Sequence, residues 1–388
     1  MNIPSASVAL ERGRGRATAH QWKRRRSVLV TIVATMIVAG CANHPRPVAA
    51  PAATRPPVID VRLVADEPDA ALVILRERAA GRAPTPSQWS ALVHSAGYVH
   101  LAEREAAMGR AFTDSAFARF LASDSVIAHV ASYELTLPRL EHANVDAAAR
   151  RALAYLPAGT ALRARLYLEI KPITNSFVFT GRDSIPSIFI YVRVDPPDAP
   201  AQLENTLAHE LHHIGSNAAC SDVSLFGTRD TASIPAARRT LIEYLTAFGE
   251  GRAMLAAAGG PDVHPHATDP DSIRARWDRD VARAPEDMRE LSSFAGDVLS
   301  GRIATSDSVA RRGASYFGVQ GPWYTVGWLM ASTVEKQFGR DALIGTLCTP
   351  VAFLRQYNEA ARRANAAGDT TLPTWPAALL DELAEIGQ

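Results

Sequence analysis

The stretch that decides the fold is Leu203-Glu204-Asn205-Thr206-Leu207-Ala208-His209-Glu210-Leu211-His212-His213-Ile214-Gly215. His209 and His213 lie four positions apart, and on an α-helix this spacing puts two side chains on one face, one turn apart. The apolar residues recur on a different side of the segment, at Leu203, Leu207, Leu211 and Ile214. The pattern predicts an amphipathic helix that buries one side and presents two imidazoles to a cleft.

Two imidazoles on one helical face can bind one zinc ion at about 2.0–2.1 Å. Glu210 directly follows the first imidazole, so it is rotated by about 100° and can reach a water activated by the metal without binding the metal itself. A zinc site needs at least one more protein ligand. Glu243 and Glu250 are seven residues apart in a helical pattern over Thr240–Ala253. They lie on nearly the same face, and the spacing leaves both open as the third ligand.

Short runs of β-branched and aromatic residues interrupt the helical patterns before this helix. They predict strands over Leu166–Ile170, Ser176–Phe179 and Ser187–Val194. The last strand is either an edge strand that pairs with extended substrate or an interior strand. We expect an α+β, mainly α-helical fold with a small sheet next to the histidine-bearing helix. One domain over residues 61–388 is predicted, with a helical N-terminal half (61–160) and a catalytic half (161–388).

A family resemblance is carried by a second segment. Glu250-Gly251-Arg252-Ala253 resembles the E-G-x-A segment in which gluzincin metallopeptidases place a glutamate ligand. Together with the His-Glu-x-x-His motif, it is similar to bacterial families of unknown function described as zinc-dependent peptidases. The similarity extends to Trp89-x-x-Leu92 and to Tyr324-x-x-Gly327-Trp328, and it covers most of residues 65–360.

This resemblance implies a zincin-like core, Zn²⁺ as the cofactor and a peptide or protein as the substrate. It favours Glu250 over Glu243 as the ligand that joins His209 and His213. The 37 residues from His213 to Glu250 exceed the spacing in many gluzincins. An inserted loop accounts for the extra length and leaves Glu243 as a competing ligand.

The expected chemistry is hydrolysis of a peptide bond. Glu210 takes the proton of the attacking water as general base and passes it to the leaving amine. The oxyanion needs a hydrogen-bond donor besides the metal, and Tyr324 and Tyr316 are the candidates. Two alternatives remain: a non-catalytic metal-binding envelope lipoprotein that acts as a binding or assembly module, and a zinc hydrolase of non-peptide amides. A carboxylate at Glu210 favours an enzyme, because metal binding alone does not need it.

The N-terminal segment differs in charge from the rest of the chain. Residues 1–40 carry seven basic side chains and one acidic side chain, a net charge of +6. The basic run Lys23–Arg26 precedes the apolar run Ser27–Gly40, which is typical of a signal peptide and short for a membrane span. Val38-Ala39-Gly40-Cys41 resembles the bacterial lipobox, in which the cysteine is lipidated.

We therefore predict a lipoprotein signal peptide over residues 1–40, lipidation of Cys41 and a Pro/Ala-rich tether over residues 41–60. We expect the lipid anchor to attach the protein to a membrane and so to place it in the cell envelope. The residue after Cys41 is Ala42 and not an aspartate. By resemblance to the enterobacterial sorting rule, this favours the outer membrane, facing the periplasm or the cell surface.

The composition limits the remaining classes of protein. The chain has 388 residues, 47% of them hydrophobic, and a formal net charge of +1. These values exclude a disordered charged tail and argue against a polybasic nucleic-acid binder. Three cysteines cannot form a disulfide framework. In an oxidising compartment Cys220 and Cys348 can form one disulfide, and two free buried thiols are the alternative.

Overall fold

The computed structural model describes residues 58–172, 176–193, 199–368 and 371–387. The predicted signal peptide, the lipidation site Cys41 and the predicted tether up to residue 57 lie outside these ranges. Within them, the structure is mainly helical with one four-stranded sheet, which confirms the α+β, mainly α-helical class.

The first half of the chain begins with a strand that the sequence analysis did not predict. Strand β1 covers Ile59–Val64, so it starts inside the stretch that we assigned to the tether. Its alternation Ile-Asp-Val-Arg-Leu-Val has the period of a strand, but the neighbouring prolines and the following helical pattern obscure it. The helices that follow are α1 Asp66–Ala79, α2 Pro86–Val93, α3 Ala96–Ala107, α4 Asp114–Leu121, α5 Asp124–Ile127, α6 Val130–Glu141 and α7 Val145–Leu153.

The sheet contains all three predicted strands, with shifted bounds. They are β2 Leu162–Glu169, β3 Phe177–Thr180 and β4 Pro186–Tyr191. The strand order is β1-β2-β4-β3, in which β1, β2 and β4 are parallel and β3 is antiparallel to β4. β4 is therefore an interior strand, and the alternative in which it pairs with substrate as an edge strand is wrong. Strand β4 is hydrogen-bonded to β2 along one edge and to β3 along the other.

A long helix follows the sheet and carries the decisive motif. Helix α8 covers Ala199–Ala219. The helices after it are α9 Ala236–Leu245, α10 Gly249–Ala258, α11 Asp271–Ala282, α12 Ala284–Leu299, α13 Ser306–Ser315, α14 Pro322–Phe338, α15 Arg340–Ile344, α16 Pro350–Ala367 and α17 Ala377–Ile386. Short 3-10 helices cover Thr231–Ser233 and Thr246–Phe248.

The buried apolar residues form two cores. The N-terminal core combines α1–α8 with the sheet, and α8 joins it through the predicted apolar stripe of Leu203, Leu207, Leu211 and Ile214. The C-terminal core is built mainly by the residues after α8, from Phe226 to Ile386, and also includes Tyr155. The predicted division of the domain at residue 160 stays a prediction.

Within the described ranges, no helix is both long enough and apolar enough to cross a lipid bilayer.

Candidate metal centre

Three of the predicted ligands converge on one point. Nε2 of His209 lies 3.1 Å from Nε2 of His213, and each of these nitrogens lies 3.1 Å from Oε2 of Glu250. Among the described residues, these three side chains are the group of His, Cys, Asp and Glu whose ligand atoms lie close enough together to hold a metal ion. The structure thus brings together two histidines of α8 and one glutamate of α10.

The chemistry of this donor set fits zinc. Ligand atoms around a tetrahedral zinc ion with bonds of about 2.0–2.1 Å lie roughly 3.3 Å from one another, close to the observed 3.1 Å. Two imidazole nitrogens and one carboxylate oxygen are a common catalytic zinc set, with the fourth position left for water. The two imidazoles are not fully buried: the side chains of His209 and His213 are 14% and 26% exposed.

The histidines set the charge of Glu250. Burial alone raises the pKa of a carboxyl group, but His213 and His209 outweigh burial and hold the pKa of Glu250 well below its ordinary range. Burial likewise lowers the pKa of His213, yet Glu250 raises it overall to about 9. The glutamate is therefore anionic, as a metal ligand must be.

Close helix packing positions Glu250. Gly251 faces α14, where a Cβ atom on it would lie 2.0 Å from the backbone nitrogen of Trp328 and 2.1 Å from the carbonyl carbon of Gly327. Only glycine allows this approach of α10 to α14. Gly259, with φ +84°, then ends α10 in the left-handed conformation that glycine favours.

The competing ligand Glu243 lies elsewhere. It is on α9 and exposed, whereas Glu250 is buried. In one continuous α-helix, seven residues would put both on nearly the same face. The 3-10 segment Thr246–Phe248 interrupts the helical pattern between them. The two glutamates lie two turns apart along the axis, roughly 10 Å at a rise of about 1.5 Å per residue, so only one of them can reach the two imidazoles.

Glu210 and Tyr324 lie beside the three ligands. The Tyr324 ring stacks on His209, with 6.3 Å between ring centroids. Burial raises the pKa of Tyr324 well above its ordinary value, and the nearby carboxylates of Glu250 and Glu210 raise it further. Burial also raises the pKa of Glu210. Tyr324 therefore keeps its proton, and Glu210 has a greater proton affinity than an exposed glutamate.

Tyr316, the other candidate donor to the oxyanion, forms hydrogen bonds with residues other than the metal ligands. Its hydroxyl accepts a hydrogen bond from Nε of Arg312 at 2.7 Å and donates one to Glu290 at 3.2 Å. Its ring packs against Phe294 and Trp323. The hydroxyl of Tyr316 is thus already bound by Arg312 and Glu290, whereas Tyr324 lies next to His209.

A loop packs against the side of α8 that carries His209. Nδ2 of Asn205, one turn before His209 on α8, donates a hydrogen bond to the carbonyl oxygen of Pro265 at 2.8 Å. Nε2 of Gln202 donates to the carbonyl oxygen of Thr268 at 3.1 Å. The loop between α10 and α11 is thus fixed on the face of α8 that carries the ligands.

Two further features lie behind the ligands. Cys220 and Cys348 form a disulfide, with 5.3 Å between their Cα atoms. Arg252, two residues after Glu250, is buried and donates hydrogen bonds to Thr346. No role for Arg252 could be predicted from its place in the Glu250–Ala253 segment, because its partner lies 94 residues away in the chain.

Comparison with known proteins gives one match, and it covers this whole site. No curated protein and no solved structure matches the chain. Residues 113–366 match a protein family described as "Putative zinc dependent peptidase (DUF5700)". The matched range begins at the N-cap of α4 and includes α8, α10 and α14, which bear the converging side chains. The match spans more than half of the chain, and the chain therefore belongs to this family.

Proposed function

We propose that the protein is a zinc metallopeptidase in which His209, His213 and Glu250 hold the metal. The observation that carries the proposal is the convergence of their three ligand atoms, 3.1 Å apart in each pair, with both imidazoles partly exposed. Membership in a family described as zinc-dependent peptidases supports the same reaction class. A zincin-like core with a gluzincin arrangement of ligands is part of this proposal.

Each remaining side chain has one task in the reaction. Bound zinc supplies Lewis-acid chemistry, since it polarises the scissile carbonyl and lowers the pKa of water. Glu210 takes a proton from the attacking water and delivers it to the leaving amine nitrogen. The raised pKa of Glu210 suits both transfers, because it brings the group nearer to neutral pH. The Tyr324 hydroxyl, which keeps its proton, donates a hydrogen bond to the developing oxyanion.

We place this activity in the cell envelope, with a peptide or protein as substrate and a lipid anchor at Cys41. The Cys220–Cys348 disulfide supports export, because such bonds persist mainly in oxidising compartments. Labelling with a radioactive fatty acid tests the anchor. Cys41→Ala should abolish incorporation and release the protein from membranes.

The test of the reaction is hydrolysis of a peptide library by the full chain loaded with zinc, followed by mass spectrometry. Glu210→Gln keeps the size of the side chain and removes the base, so cleavage should fall by about 10²–10⁴-fold while zinc content stays the same. Glu204→Gln, on the same helix, is the matched control and should cleave like the wild type. Equal cleavage by Glu210→Gln would contradict the mechanism. Zinc binding without any cleavage would favour the binding-module alternative.

A further inference from the structure

One short segment contacts both of the helices that carry metal ligands. This segment, residues 345–349 between α15 and α16, is called the strap below. Cys348 in the strap is bonded to Cys220, the residue that follows α8. Thr346 in the strap accepts hydrogen bonds from Arg252 of α10: its carbonyl oxygen lies 3.1 Å from both Nη1 and Nη2, and its Oγ1 lies 3.0 Å from Nη2.

The two tethered helices are packed differently. Helix α8 lies in the N-terminal core, whereas α10 packs against both α8 and α14 and contributes buried residues to both cores. The strap passes from one core to the other: Leu343, just before it, is buried in the C-terminal core, and Leu347 packs against the N-terminal core. The distance between the histidines and Glu250 therefore depends on how firmly the two cores are held together.

Arg252 makes its hydrogen bonds from a buried position, and two of its nitrogens donate to the same carbonyl oxygen. The residue is only 5% exposed, and its guanidinium group lies 3.8 Å from the centre of the Phe353 ring. Burying a charged group costs free energy unless hydrogen bonds satisfy it. The planar fork of an arginine directs two donors to one point, and here both reach the carbonyl oxygen of Thr346. A shorter or non-polar side chain cannot make this contact.

We propose that the strap, through the Cys220–Cys348 disulfide and the Arg252–Thr346 hydrogen bonds, holds Glu250 against His209 and His213. Arg252 and the disulfide are then groups that position the metal ligands. Arg252 lies two residues after Glu250, and Cys220 of the disulfide lies seven residues after His213. This inference rests on the proposed zinc function. Groups that orient metal ligands typically change metal affinity by about 10–100-fold when they are removed, and we expect a loss in that range.

The experiment measures the apparent Kd of zinc for the metal-free full chain by competition with a chromophoric chelator. In the variants Cys220→Ala/Cys348→Ala and Arg252→Met, the Kd should rise about tenfold or more. Arg252→Lys keeps the charge and one donor, so its Kd should lie between those of the wild type and Arg252→Met. Near-UV circular dichroism of each metal-free variant verifies that it is folded.

Leu379→Ala is the matched control. It removes a buried side chain from α17 in the C-terminal core, away from the strap. It should lower the melting temperature and leave the zinc Kd unchanged. Zinc affinities like the wild type in both strap variants would overturn the inference, and so would an equal loss in Leu379→Ala, which would reflect general stability. A wild type that binds no zinc would instead contradict the proposed function itself.

Discussion

Two buried clusters in this protein shift the pKa values of their glutamate side chains in opposite directions. At the metal centre, His209 and His213 lie 3.1 Å from the Glu250 carboxylate and lower its pKa, so this glutamate is an anion. At the end of β2, Glu169 is fully buried, and neither of its oxygens has a hydrogen-bond partner among the described residues. Burial raises its pKa to about 8.

The neighbours explain the difference. In the β2 cluster, Glu67 is also fully buried, and burial followed by repulsion from Glu169 raises its pKa. The buried Lys171 attracts Glu169, but burial lowers the pKa of that lysine to about 7. Depth of burial thus does not identify a functional carboxylate. The metal centre is distinguished by ligand atoms of complementary chemistry that converge on one point.

The largest effect is expected for the anionic glutamate. Glu250→Gln removes the charge that binds the metal, so zinc affinity should fall by more than about a thousandfold, beyond the roughly 10–100-fold typical of groups behind the ligands. Glu243→Gln changes the exposed competitor and should bind zinc like the wild type. Chelator competition measures both. A loss in Glu243→Gln together with wild-type binding in Glu250→Gln would reverse the assignment.

The next largest effect is expected in a comparison of two tyrosine variants. Tyr324→Phe removes the donor beside the metal centre, so kcat should fall by about 10²–10³-fold, which corresponds to roughly 3–4 kcal/mol. Tyr316→Phe removes a hydroxyl that is bound to Arg312 and Glu290, and it should leave kcat unchanged. Steady-state kinetics on a peptide substrate found in the library test decides between them. Equal kcat values in the two variants would rule out a specific role for Tyr324.

How far the sequence predicts this site depends on the distance between the interacting residues. The His-Glu-x-x-His motif is local, so both histidines and Glu210 could be predicted from helical spacing. Glu250 was chosen over Glu243 by family resemblance, since seven residues of helical spacing put both on nearly the same face. The contact of Arg252 with Thr346 spans 94 residues and could not be predicted at all.

The fold shows the same limit. Runs of β-branched residues predicted β2, β3 and β4, but the order of the strands depends on packing against α1–α8, which no single strand encodes. This is why the interior position of β4 had to be found in the structure, as did the strand β1. The zincin-like core remains a prediction.

A third prediction compares one glycine from each cluster. Gly251→Ala places a Cβ 2.0 Å from the backbone of Trp328, which cannot move freely, so the free energy of unfolding should fall by about 3 kcal/mol. Gly97→Ala places a Cβ 2.8 Å from Cβ of Glu67 and 2.9 Å from Oε1 of Glu169. Side chains can shift there, so about 1 kcal/mol is expected. Urea unfolding measures both, and a larger loss in Gly97→Ala would contradict this ranking.

The last effect concerns the pH dependence of the β2 cluster. A carboxyl group whose pKa rises to about 8 on folding stabilises the folded state below its ordinary value of 4.5, and this contribution is lost as pH rises towards 8. Glu169→Gln cannot ionise. From pH 5 to pH 9, the free energy of unfolding of this variant should therefore rise relative to that of the wild type.

Urea unfolding at the two pH values checks this difference. Glu382→Gln, on the exposed side of α17, is the control and should track the wild type at both pH values. A difference between Glu169→Gln and the wild type that does not vary with pH would show that Glu169 is charged in the folded protein. The contrast with Glu250 would then fail.

The most direct test of the account is an anomalous difference map, recorded on both sides of the zinc absorption edge, from crystals of the full chain grown with zinc. The account predicts one peak at about 2.0–2.2 Å from Nε2 of His209, Nε2 of His213 and a carboxylate oxygen of Glu250. A zinc peak bound by other residues, or no peak at these three side chains, would contradict it.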